Sequence, residues 1–145
     1  MSDEREQFPE RPAEAPAPGQ GLAVAAESLY LANLLLAPGL AFGVLLWLYL
    51  RHHRDAPPLA ACHLRQTLSA SVWAGLLLVL VNGLIIITGG YASGHTWLVV
   101  ILYFTLCHST LVVLGMIGLA RAMAGRHYRY PLVGMATCCH DRHES

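Results

Sequence analysis

No lysine occurs in this chain; all nine basic residues are arginine. Acidic residues are nearly as restricted. Beyond the N-terminal stretch they are only Asp55, Asp141 and Glu144, so no long apolar run contains a carboxylate. Paired-carboxylate catalysis and metal-dependent hydrolysis therefore have no residues to work with inside those runs. GxSxG, a Walker loop and HExxH are all missing, which removes the common hydrolase and nucleotide-binding signatures. Only 12% of residues are charged, against about 25% in a typical soluble domain, while 55% are hydrophobic. Cys62, Cys107, Cys138 and Cys139 form no secreted-disulfide framework and read as free thiols. The arginine-only, Ala-, Leu- and Gly-rich composition reads as GC-rich coding, hence a bacterial chain.

What is present is apolar length. Residues 1–28 are rich in Pro, Ala and Glu, lack periodicity, and read as a disordered tail without the basic start of a signal peptide. Three apolar runs follow, at 29–50, 67–88 and 96–120, each long enough for a hydrocarbon core of about 30 Å. The expected fold is an all-α integral membrane domain of three transmembrane helices over 29–132, followed by a disordered Cys- and His-containing tail over 133–145. Pro38-Gly39 should kink the first run, or turn it back as a re-entrant segment. Gly39 and Gly43 form a GxxxG, either a packing seam or a by-product of composition. Thr67, Ala70, Ser71, Ala74 and Gly75 give the second run a small-residue face for a neighbouring helix. The short connector at 89–95 makes the third run antiparallel to the second, with Trp97 as an interfacial anchor.

Arginine bias sets the expected orientation. Arg51, Arg54 and Arg65 lie in the first connector, and Arg121, Arg126, Arg129 and Arg142 follow the third run; the 89–95 loop has none. The basic segments should be cytoplasmic in a bacterial inner membrane, with the C-terminus inside. Three full spans put the N-terminal tail outside, whereas a re-entrant first run keeps both termini inside.

Within the runs, polar residues are few. His108, between Cys107 and Ser109, should be neutral and face other helices, as a ligand, a proton relay or a hydrogen-bonded imidazole. A bis-histidine haem would want a partner at matching depth, which the second run lacks, so no cofactor is expected. Asn33, Asn82 and Tyr103 fall at similar depths and could form an interhelical hydrogen-bond cluster. Cys138, Cys139, His140 and His143 are spaced poorly for one tetrahedral metal, so no metal site is expected.

The edges of the runs carry a pattern of their own. Asp55, Pro57 and Pro58 lead into His63-Leu64-Arg65-Gln66-Thr67-Leu68, and the third run exits through Gly125-Arg126-His127-Tyr128-Arg129-Tyr130-Pro131. The order resembles the bacterial small membrane proteins grouped with the translocon subunit of the plastid inner envelope, the Tic-like family. Their spans similarly begin with His-x-x-Gln-Ala-Leu-Asn and exit through Gly-x-x-Tyr-Arg-Tyr-Pro. The resemblance covers about 31–132, with Thr67 and Ser69 departing from the family's Ala and Asn. It implies a multi-span helical protein, non-enzymatic, with a role in transport, insertion or complex assembly. The other reading is a redox or transport subunit that uses His108. His63, Arg65, Gln66, Arg126, Tyr128, Arg129 and Tyr130 are the candidate docking residues. The expected partners are the bilayer and other membrane subunits or further copies of the chain, with no nucleic acid.

Overall fold

The computed structural model describes residues 15–135. Among them every regular element is helical: α1 Gln20–Leu35, α2 Leu40–His52, α3 Pro58–Ile87 and α4 Gly94–Met123. Helix α4 contains a π-helical turn, Tyr103–His108.

The first apolar run does not become one span. Pro38 cannot continue α1, and Gly39 adopts a left-handed φ of +87° that lets the chain reverse. Asn33 Oδ1 accepts from the Gly39 N–H at 3.0 Å and closes the turn. Helix α2 then runs back along α1, so that Leu22, Ala26 and Leu29 share a cluster with Leu45, Leu48 and Tyr49. At 16 and 13 residues, the two arms are about 24 and 20 Å long, too short to cross singly. The run expected to span therefore turns back as a helical hairpin: Pro38 ends α1, Gly39 permits the turn, and α2 packs back on α1 and α3. GxxxG is no seam either: a Cβ at Gly39 or Gly43 would meet nothing within 4 Å.

Among the described residues only α3 and α4 are long and apolar enough to cross a membrane, where three spans were expected. Pro57-Pro58 starts α3, proline being suited to a first helical turn whose N–H groups lack partners anyway. Each 30-residue helix is about 45 Å long. Their outer halves expose Val79 (70%), Ile87 (83%) and Trp97 (66%), a surface suited to lipid rather than water.

Because α1 and α2 form a hairpin, the start of α1, the α2–α3 connector and the end of α4 share one end of the bundle. Ala23, Leu59 and Ala122 pack together there, and Gln20 Nε2 donates to Met123 O at 2.5 Å. Among the described residues, the start of α1 therefore lies at the same end as the last turn of α4. The α3 face of Thr67, Ala70, Ser71 and Ala74 is buried, and α1 packs against both α3 and the last part of α4. Glycine makes the second approach close. A Cβ on Gly115 would sit 2.7 Å from the Tyr30 ring, and one on Gly118 would sit 2.6 Å from Glu27 Oε2.

Described structure extends into both expected tails. Residues 20–28 are helical, with Ala23, Ala26 and Glu27 fully buried, because a short Ala/Val stretch hides inside a proline-rich average. Residues 133–135 are bonded to α3, as described below.

Candidate functional site

The arginine-rich end closes around one buried carboxylate. Glu27 lies on α1, His63 on α3, and Tyr130 beyond the end of α4, all almost wholly buried. His63 Nδ1 is 2.6 Å from Glu27 Oε1, Tyr130 donates to Glu27 Oε2 at 2.5 Å, and His63 Nε2 donates to Arg126 O at 3.1 Å. A carbonyl only accepts, so Nε2 carries hydrogen. The Nδ1–Oε1 contact then needs one more proton, on either side of it. Glu27 and His63 together are thus neutral, which is how an ionisable pair survives full burial. The Tyr130 phenol is pushed far above its ordinary value, first by burial and then by the charge of Glu27, so it remains a donor.

Further bonds hold the segment after α4 against α3. Gln66 Nε2 donates to Met135 O and Ser69 Oγ to Val133 O, both at 2.8 Å. Just before them Leu132 adopts φ +73°, a conformation rare outside glycine, kept between the bonds of Tyr130 and Val133. The Tyr130 ring meets Tyr30 edge-on at 5.5 Å and Tyr128 at 5.2 Å. Arg126, His127 and Arg129 are left exposed on this fixed segment, and Arg65 is half-buried. Of the candidate docking residues, the fold brings His63, Gln66, Tyr128 and Tyr130 together and leaves Arg126 and Arg129 facing outward. Glu27 was missed by sequence reasoning. Its signal was a single acid among Ala and Val residues, three positions before Tyr30.

The intramembrane polar residues separate. Asn33 caps the α1–α2 turn. Asn82 bonds Leu78 O at 2.8 Å and accepts from the Tyr91 hydroxyl at 2.7 Å, near the far loop. Tyr103 and His108 share the π-helical turn, with ring centroids 6.4 Å apart. The three-residue cluster of Asn33, Asn82 and Tyr103 is therefore not formed: equal depth does not fix the direction in which each helix presents its side chain. Asn33, Tyr103 and His108 instead line one cavity of about 450 Å³ beneath the hairpin tip. Among the described residues no three His, Cys, Asp or Glu side chains are grouped to hold a metal. Cys138, Cys139, His140 and His143 lie outside the described residues.

Residues 20–136 match the model of the magnetosome magnetite crystal formation protein family (MamF/MmsF). No curated protein and no solved structure matches the chain significantly. The family match overturns the translocon-like resemblance. The motifs behind that resemblance, His63-x-x-Gln66 and Tyr128-Arg129-Tyr130-Pro131, hold the segment after α4 against α1 and α3. Such packing says little about what a protein acts on. The chain belongs to the magnetosome magnetite crystal formation protein family, and with its two long apolar helices it is a membrane protein.

Proposed function

We propose that this member of the family is a non-enzymatic accessory component of a membrane complex that takes part in magnetite crystal formation. Helices α3 and α4 embed it in the bilayer, and its arginine end docks an acidic surface of a partner protein. The supporting observation is the fixed segment 126–135. Bonds to Glu27, Gln66 and Ser69 hold its backbone in place while Arg126 and Arg129 stay exposed. A preordered arginine pair loses less freedom on binding than a loose tail, and guanidinium suits paired hydrogen bonds to carboxylates.

The test is complementation in a magnetosome-forming host lacking the native protein. Arg126→Glu with Arg129→Glu should reach the membrane at the wild-type level, lose its copurifying partner, and fail to restore crystals seen by electron microscopy. Arg129→Lys should show part of the defect, although charge is kept. Restored crystals with an intact complex would overturn the docking role. Lost membrane retention of the double variant would assign the arginines to lipid headgroups instead.

A further inference from the structure

The cavity under the hairpin tip lies near the middle of both long helices, since Ser71 and His108 each fall about halfway along a 30-residue helix. Its walls are mostly apolar: Leu34, Pro38, Phe42, Val72, Leu78 and Phe104 contribute. Beside Asn33, which caps the hairpin turn, three of the side chains lining it break that pattern. Ser71 is 3% exposed, and its buried Oγ has no hydrogen-bond partner among the described residues. Tyr103 is 7% exposed, and neither its hydroxyl nor the ring nitrogens of His108 bond to any described residue. In hydrocarbon each unmatched polar group costs free energy, and most buried polar groups in folded proteins find a partner.

The π-helical turn bears on the same point. In a regular α-helix, side chains five apart diverge by about 140°. The wider turn at Tyr103–His108 brings these two rings within 6.4 Å, with Phe104 against His108 at 5.2 Å. Such turns inside α-helices recur at functional sites.

We propose that this cavity binds a neutral, lipid-soluble molecule of the quinone class. Its depth disfavours a charged ligand. Ser71, Tyr103 and His108 can each donate a hydrogen bond, so the occupant should carry acceptor oxygens, as ring carbonyls do. Phe42, Tyr103 and Phe104 offer aromatic surfaces to a flat ring. An acyl chain would fill the volume yet leave all three polar groups unmatched. The site is independent of the arginine end.

The probe is a short-chain ubiquinone with one isoprene unit, titrated into the full-length protein in nanodiscs and followed by Trp73 fluorescence and calorimetry. Saturable binding is expected. Tyr103→Phe and Ser71→Ala should each weaken it at least about fivefold, with the melting temperature of the ligand-free protein unchanged. Phe42→Trp, which narrows the cavity without touching a polar group, should also weaken binding, while Asn82→Ala should not. No saturable binding to the wild type would overturn the proposal. So would equal binding of a hydrocarbon lacking the carbonyls, which would identify a lipid-chain groove. Wild-type affinity in both Tyr103→Phe and Ser71→Ala would likewise overturn it.

Discussion

At the arginine end, Glu27, His63 and Tyr130 form a chain of hydrogen bonds anchored on a backbone carbonyl. About 12 Å further along α3, Ser71 faces the same cavity as Tyr103 and His108, and the polar side-chain atoms of these three are bonded to no described residue. Glu27, His63 and Ser71 are all buried, so burial alone does not separate the two regions. The difference lies in where the bonds end. A closed network polarises and stiffens itself, fixing one arrangement of α1, α3 and the segment after α4. An open set leaves its donors available to a visitor. The polar residues of a membrane domain are therefore better sorted by partner than by depth.

The contrast is broken most directly at Glu27. Glu27→Leu keeps roughly the volume but strands His63 Nδ1 and the Tyr130 hydroxyl in a buried site. It should cost about 3–5 kcal/mol, measured by thermal unfolding in detergent. Tyr103→Phe, at the open site, removes no bond within the protein and should cost less than about 0.5 kcal/mol. Equal losses would erase the distinction between the two regions.

A middle-sized effect is expected at Tyr130. Tyr130→Phe removes one hydrogen bond to a charged or proton-sharing carboxyl and should cost about 1.5–3 kcal/mol. Its pH dependence sharpens the comparison. The buried phenol resists ionisation, whereas the unfolded one ionises near its ordinary value of 10.0. The contribution of Tyr130 is thus complete below that value and declines as pH rises above it, by about 1.4 kcal/mol per pH unit. Unfolding midpoints measured at about pH 9 and about pH 11 should fall more steeply in the wild type than in Tyr130→Phe. Parallel curves would mean that the phenol is not held neutral.

Among the side chains that are bonded within the protein, the smallest effect belongs to Asn82. Its bonds to Leu78 O and the Tyr91 hydroxyl lie in an exposed stretch near the 88–93 connector. Asn82→Leu should cost about 0.6 kcal/mol, the usual worth of a side-chain bond in a bilayer, read from the same melts. A loss approaching that of Glu27→Leu would mean that the far half is as tightly closed as the arginine end.

The sequence by itself determined the helical class, the membrane-length runs, and the places where the chain must break. These follow from local properties: hydrophobicity summed over a window, the missing N–H of proline, the freedom of glycine at positive φ. Beyond the N-terminal stretch it also confined the arginines to two segments that a short connector returns to one level. Only the tertiary structure decided that Pro38-Gly39 reverses the chain, that the start of α1 joins the bundle, and that Glu27 closes the arginine end. Turn or kink at Pro38 depends on whether α2 finds a surface to pack against, and α1 and α3 supply it. Glu27 meets Tyr130 across 103 residues of chain, and composition averaged over the tail hides the few buried positions that allow it. The open site was hidden for the same reason. A side chain's missing partner can be seen only once every neighbour that might have bonded it has been placed.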